Sequence, residues 1–176
     1  MAIFSLTGVL ESAASRVLQM PLEFGDSYDG FARPTLATRT SRSAIITRSE
    51  ETQSLFAELT EVIHFANRQF GFVIDGIEDS ANVVQYEVGG ELDWHTDTHE
   101  DAKANSARKI SVSVQLSEPS SYIGGDLEFA AHPSDPFSRV FGTAIVFPSY
   151  AAHRVRRVTE GRRLSLVVFA RGPQFK

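Results

Sequence analysis

From about residue 81 onward, the apolar residues stop recurring at helical spacing and begin to alternate. Ile110, Val112, Val114 and Leu116 take every second position, with Lys109, Ser111, Ser113 and Gln115 between them. A period of two puts successive side chains on opposite faces of a strand, so this run reads as a half-buried strand. Further strands are predicted over 81–88, 92–97, 126–129, 144–147, 155–158 and 164–170, with Gly, Pro and Asn/Asp clusters between them. So many short strands in succession, behind helical segments, predict an α+β fold with the strands forming a jelly roll or barrel and the helices on one face.

The helical signal is confined to the first part of the chain. Leu10, Ala13, Ala14, Val17 and Leu18 share one helical face before Pro21 ends the run. A Gly/Asp/Pro-rich loop over 25–34 and a strand over 39–47 follow. Thr47 and Glu50 have capping-box spacing. Beyond them Leu55, Phe56, Leu59, Val62, Ile63, Ala66 and Phe70 form one stripe, which predicts about five turns of helix ending near Gly71. A chain of 176 residues fits one domain, here 1–176, with 1–75 as mainly helical support and 81–172 as the core.

Composition narrows the chemistry. Without cysteine there are no disulfides, thiolate metal sites or thiol nucleophiles, so any metal must be held by His, Asp or Glu. A formal net charge of −5 disfavours a general nucleic-acid or anionic-membrane binder. The N-terminus has no basic stretch, and Glu11 interrupts its apolar run. It reads as neither a secretory signal nor a membrane span, and a cytoplasmic, reducing location is expected.

The sharpest local feature is Trp94-His95-Thr96-Asp97. On a strand His95 and Asp97 share a face and can grip one ion. His153 stands 56 residues beyond Asp97, just ahead of a predicted strand. Two imidazoles and one carboxylate on one side of an ion leave the opposite positions open, the arrangement of the facial triad in non-haem Fe(II) oxygenases. Ten residues after His153 comes Arg163, then Ser165. Glu160-Gly161 between them is a turn signal, which predicts that the His153 and Arg163 strands fold back as a hairpin. The Arg163 strand is apolar on both faces, so its guanidinium needs a partner: either a ligand carboxylate or a protein acid.

These residues stand in a longer pattern. Tyr86-Glu87-Val88-Gly89, His95-Thr96-Asp97, Arg108-Lys109-Ile110-Ser111, Gln115-Leu116-Ser117 and Gly124-Gly125-Asp126-Leu127 are followed by 142–149, His153 and Gly161-Arg162-Arg163-Leu164-Ser165-Leu166. In this order, over about residues 81–172, they resemble the prolyl 4-hydroxylase-like branch of the 2-oxoglutarate/Fe(II)-dependent dioxygenases. The resemblance implies a double-stranded β-helix (jelly roll) with the N-terminal helices packed on one sheet. It implies Fe(II) held by His95, Asp97 and His153, which are also the catalytic residues. It places 2-oxoglutarate with its distal carboxylate on Arg163, Ser165 beside it, and Tyr86 reaching the co-substrate. The implied reaction hydroxylates an organic substrate, a small molecule, amino acid or peptidyl residue. It consumes dioxygen, releases succinate and CO2, and takes ascorbate as a reductant. The chain ends soon after the last predicted strand, which weighs against a large protein substrate.

Three rival readings are weighed against it. A zinc-dependent hydrolase would need a general base, for which Asp93 on the His95 face is available, but it leaves Arg163 unexplained. A non-catalytic jelly-roll binding module has no use for three converging ligands. A nucleic-acid demethylase could use Arg157 and Arg163, but the acidic charge balance opposes it. Elsewhere, the polar segment 99–108 reads as a loop, either plain surface or a lid over the site. His99 reads as a loop histidine, His64 as a helix-flank residue, His132 as an exposed one and Trp94 as core. Arg154, Arg156, Arg157 and Arg162 form a solvated strand face or an anion-attracting rim. Gly124-Gly125 reads as a close approach between strands.

Overall fold

The structure, a computed structural model, describes residues 2–26, 39–98, 100–101, 106–132 and 137–175. Two helices, α1 (Glu11–Leu18) and α2 (Gln53–Phe70), occupy the stretches marked by helical periodicity. Ala13, Ala14 and Val17 of α1 and Leu55, Phe56, Leu59, Val62, Ile63 and Ala66 of α2 are buried, so both apolar stripes face the core. Gly71 closes α2 in the left-handed conformation, φ 69°, where a residue without Cβ is unstrained. The expected Thr47–Glu50 capping box does not form. Thr47 is still paired with Ser80 in a strand, and α2 begins only after Thr52, whose hydroxyl donates to the Thr47 carbonyl and accepts from the Ser49 amide.

The described residues form fifteen strands. In chain order they begin with β1 (Phe4–Leu6), β2 (Gly25–Asp26), β3 (Arg39–Thr40), β4 (Arg42–Thr47), β5 (Gly76–Ile77), β6 (Ser80–Tyr86), β7 (Glu91–His95) and β8 (Glu100–Asp101). They continue with β9 (Ser106–Gln115), β10 (Tyr122–Gly124), β11 (Leu127–Phe129), β12 (Ala144–Pro148), β13 (His153–Val155), β14 (Val158–Gly161) and β15 (Arg163–Pro173). The major sheet runs β1-β12-β9-β15-β6-β4-β2, with β5 on β15 and β8 on β9. The minor sheet runs β11-β13-β7-β3, and β10 and β14 form a separate ribbon. Every pairing among the described residues is antiparallel.

The helices cover one face of the major sheet, against Ala44, Ile46, Val83, Ile110, Val112, Val114, Val146 and Val168. On the other face Val84, Tyr86, Ile145 and Phe147 meet Phe129, Val155 and Val158 across the interior. The helices on one sheet and the jelly-roll sandwich match the expected fold. Because β9 lies under helices on one side and under the minor sheet on the other, it is not half-buried. Lys109, Ser111, Ser113 and Gln115 are all at most 6% exposed. Their polarity marks the inside of a cleft, not solvent.

Before residue 75 the chain also contributes strands: β1, β2 and β4 extend the major sheet and β3 extends the minor one. Two further expectations are corrected. The His153 and Arg163 strands are not a hairpin: β13 pairs with β7 and β11, β15 lies in the major sheet, and β14 between them pairs with β10. Gly161 does take a turn conformation, φ 68°, but the turn carries the chain from one sheet to the other. The stretch 99–108 is in part strand, with Glu100–Asp101 pairing Ala107 and Ser106. Residues 99 and 102–105, and most of the 25–34 loop, lie outside the described residues, and with them the reading as a lid. Among the described residues no helix is long and apolar enough to cross a membrane.

Candidate metal centre and carboxylate pocket

His95 and His153 arrive from neighbouring strands of the minor sheet and are register partners. Two residues along β13, Val155 pairs with Leu92, three residues back along β7. Arg154 alone therefore faces both Asp93 and Trp94, and the extra residue is a β-bulge at Asp93–Trp94. Leu92 packs into the interior. Strict alternation from Leu92 would put Trp94 inside and His95 outside; the bulge reverses this and aims His95 at the cleft.

Asp97 completes the group. His95 Nε2 lies 3.5 Å from one Asp97 carboxylate oxygen and His153 Nε2 lies 3.5 Å from the other. One ligand atom from each residue falls within 4.8 Å of the others, close enough to share an ion. Each Nδ1 is committed elsewhere, His95 to the Asp93 carbonyl at 2.8 Å and His153 to the Ala151 carbonyl at 2.9 Å. A carbonyl only accepts, so each Nδ1 carries the proton and each Nε2 presents a lone pair to the shared centre. The Asp97 amide donates to the Ser149 carbonyl, Ser111 hydrogen-bonds its carboxylate, and the Ser111 and Ser149 hydroxyls are 2.9 Å apart. The loop after β7 is thus tied to β9 and to the end of β12.

The electrostatics suit a cation. Burial alone would raise the Asp97 carboxyl, but the charge of His153, the hydrogen bond and charge of His95 and the Ser111 hydroxyl push it down to about 2. His153 is pushed below its ordinary value, first by burial and then by His95, against the pull of Asp97. Phe129 and Phe147 wall its ring, with centroids 5.7 and 4.8 Å away. Burial also works against protonation of His95, but the hydrogen bond and charge of Asp97 outweigh it and raise His95. One ionised carboxylate and two imidazole nitrogens fit a divalent first-row metal ion.

Arg163 lies across the cleft, in the major sheet, opposite Tyr86 on β6. It is 1% exposed. Its Nη1 donates to Ser165 Oγ and its Nη2 to Gln115 Oε1, both at 3.3 Å, while its Nε has no partner among the described residues. The Tyr86 ring centroid is 5.5 Å from its Cζ. Gln115 and Ser111 lie on the same face of β9, so the guanidinium and the His/Asp cluster are both held to the inner face of the major sheet. Among the described residues no acid pairs with Arg163. Both of its partners are neutral, so the desolvated charge is under-compensated, as in a site built for an anion. Of the two partners left open by the sequence, the protein acid is ruled out among the described residues.

Of the residues named from the sequence, His95, Asp97 and His153 come together in one cluster, and Ser165 and Tyr86 lie beside Arg163. Ser111, Ser149 and Gln115 were missed. The alternating polar residues of β9 were the available signal, misread as a solvent face. Trp94 is on the outer face, 40% exposed, and is not core. Asp93 does not share the His95 face: it is exposed, and its carboxylate accepts from the Trp94 amide. The hydrolase reading thereby loses its general base. Arg154 and Arg156 pair with Glu128 and Arg157 with Glu91 on the outer surface, so they form no rim to the cleft. His64 is exposed as expected, His132 is half-buried, and His99 lies outside the described residues. A Cβ on Gly124 would fall 2.2 Å from the Arg157 carbonyl, so this glycine serves a close approach of β10 to β14.

The site defines a jelly roll carrying a facial His/Asp/His set and a buried guanidinium. Residues 81–171, slightly more than half of the chain, match the family model described as the 2OG-Fe(II) oxygenase superfamily, and the chain belongs to that family. Its cofactors are those in the family's name, Fe(II) and 2-oxoglutarate. A PKHD-type hydroxylase of Psychrobacter sp. is 32% identical over 89 residues, 48% of this chain and 34% of that protein. Another, of Picosynechococcus sp., is 41% identical over 75 residues, 42% of this chain and 33% of that protein. The chain therefore spans about a third of the length of these relatives. Two solved structures share the fold. The viral collagen prolyl hydroxylase of Paramecium bursaria Chlorella virus-1, in its 2-oxoglutarate complex, has a TM-score of 0.70 at 15% identity, covering 98% of this chain and 97% of that one. A Pseudomonas putida prolyl-4-hydroxylase has a TM-score of 0.70 at 20% identity, covering 96% and 91%.

Proposed function

We propose that this chain hydroxylates an organic substrate in a reaction that depends on Fe(II) and 2-oxoglutarate. His95, Asp97 and His153 hold the metal and Arg163 holds the distal carboxylate of the 2-oxo acid. The observation that carries this reading is the guanidinium of Arg163, desolvated, paired among the described residues only with neutral groups, and on the same inner face of the major sheet as Ser111, which holds Asp97. A dianionic co-substrate with one end on a cation and the other on a metal suits such an arrangement.

The protein's own groups supply binding and order. With both Nδ1 atoms tied to backbone carbonyls, His95 and His153 keep their Nε2 atoms aimed without reorganisation, and Ser111 fixes the Asp97 carboxylate. Ser165 and Gln115 hold the guanidinium plane, Tyr86 closes the side of the pocket, and Phe129 and Phe147 keep water from the back of His153. The bound metal and 2-oxoglutarate supply the oxidising chemistry, in which dioxygen is consumed and succinate and CO2 are released.

The substrate class is a peptidyl residue, a free amino acid or another small molecule. One fold neighbour, a prolyl hydroxylase of Trichoplax adhaerens, was solved with a peptide of hypoxia inducible factor, which supports peptides as the first class to test. A cytoplasmic location accords with the cysteine-free composition. The test is succinate formation from 2-oxoglutarate with Fe(II) and ascorbate, across panels of prolyl peptides, amino acids and metabolites. Stimulation by one class, lost in Asp97→Ala, supports the reading. Succinate formation that is unchanged in Asp97→Ala contradicts it.

A further inference from the structure

The bulge that aims His95 inward has a cost that the structure meets on the opposite face. Strict alternation along β7 would bury Trp94, the larger apolar side chain, and expel His95; burial of an indole favours that register. In the bulged register Trp94 stays on the outer face, where it is covered by a charge. Arg154 stacks its guanidinium on the indole, Cζ 4.7 Å from the ring centroid. The Arg154 Nε in turn donates to Glu128 at 2.8 Å.

These three residues form a row across the sheet. Glu128 of β11 is the register partner of Arg154 of β13, and Arg154 lies opposite the bulge of β7. The adjacent row on the inner face is Phe129, His153 and His95, again one residue from each strand in register. The outer row Glu128–Arg154–Trp94 is the reverse side of the row that carries both imidazoles. Arg156 and Arg157 share the outer face, but neither stacks on Trp94.

We propose that Glu128, Arg154 and Trp94 are positioning residues for the metal centre. The carboxylate orients the guanidinium, the guanidinium holds the indole outside, and the retained indole keeps the bulge that brings His95 beside His153. This rests on the reading of His95, Asp97 and His153 as metal ligands. The row touches neither metal nor substrate, and it acts through the register of β7. Side-chain packing alone would require only an apolar group at 94, whereas holding it against a cation requires an aromatic face.

The test is anaerobic titration of the whole chain with Co(II), read by its visible ligand-field absorption and compared with thermal melts of the metal-free proteins. Trp94→Leu and Arg154→Met are expected to bind Co(II) about tenfold or more weakly, the scale set by groups that orient metal-bound histidines. Their spectra at saturation should differ from wild type. Trp94→Phe, which keeps an aromatic face, should restore both. Combining Trp94→Leu with Arg154→Met should cost little beyond the worse single change, because the two act as one device. Arg157→Met, on the same face, should bind as wild type. Trp94→Leu binding with wild-type affinity and spectrum, or Trp94→Phe failing to differ from Trp94→Leu, overturns the proposal. If Arg154→Met does not fold, the Leu/Phe pair at 94 decides alone. A wild-type chain that binds no Co(II) overturns the metal reading itself, and this proposal with it.

Discussion

His95 and His153 are cross-strand partners whose ring centroids lie 4.1 Å apart, closer than the His153 ring lies to Phe129 or Phe147 behind it. Two imidazoles this close repel when both are protonated, and the single carboxylate of Asp97 bridges them at 3.5 Å from each. A divalent ion in place of those protons satisfies all three groups at once, which is the physical reason to expect binding at neutral pH.

That expectation has a measurable size. A ligand that binds only the folded state stabilises it by about 2.7 kcal/mol at a hundred times its Kd. For a domain of this size that is roughly 5–10 °C in Tm. Anaerobic Co(II) or Ni(II) should raise the melting temperature of the wild-type chain on this scale and leave Asp97→Asn unmoved. An equal shift in both proteins would locate the metal elsewhere.

Glu78 predicts the acid limb of stability. Arg108 and Arg171 both donate to its Oε1, at 2.8 and 2.9 Å, and join the start of β9 to the end of β15. Burial would raise its carboxyl, but the two arginines together hold it below its ordinary value near 4.5. A depressed carboxylate contributes stability above that ordinary value and loses it as pH falls through the lower folded value. Glu78→Gln should therefore cost about 2 kcal/mol at neutral pH, the scale of charge-assisted hydrogen bonds. The difference should shrink steadily below about pH 4.5. Melts of both proteins between pH 3 and 7 check this; a gap that stays constant or widens in acid would contradict it.

Gly124 and Gly8 separate two costs that glycine avoids. Both have positive φ, 77° and 66°, but a Cβ would collide with the Arg157 carbonyl at Gly124 and meet nothing within 4 Å at Gly8. Gly8→Ala should cost about 1 kcal/mol, the left-handed backbone penalty alone. Gly124→Ala adds a backbone clash and should cost about 2 kcal/mol or more. Urea denaturation of the two variants should rank them in that order, and equal values would place β10 farther from β14.

The parts of the fold legible in the sequence are those set by nearest neighbours. The stripe from Leu55 to Ala66 gave α2, and the alternation over 110–116 gave β9. The triad and Arg163 were legible because their residue types have few other uses on strands otherwise apolar. What escaped depends on distant partners. Glu160-Gly161 is a genuine turn, yet nothing local says that Gly161 pairs with Tyr122 and not with the strand that follows. The bulge at Asp93–Trp94 shows only when β7 is set against β13, so Trp94 read as core and Asp93 as a neighbour of the metal. The polar face of β9 looked solvated because Ser111 and Gln115 find their partners, Asp97 and Arg163, far away in the chain. The short edge strands β1, β2, β5 and β8 are too brief to carry a period.

The central claim is that the buried guanidinium and the metal site serve one co-substrate. It is tested most directly by anaerobic calorimetry of 2-oxoglutarate binding to the Co(II)-loaded chain, comparing wild type with Arg163→Met and Arg162→Met. Breaking a buried ion pair by removing one partner costs about 3–5 kcal/mol. At about 1.4 kcal/mol per tenfold, Arg163→Met should bind 2-oxoglutarate a hundredfold or more weakly. Its Co(II) affinity should be unchanged, since Arg163 is not a ligand. Arg162 is exposed, and its replacement should alter neither. A folded Arg163→Met chain that binds 2-oxoglutarate as tightly as wild type would contradict the account.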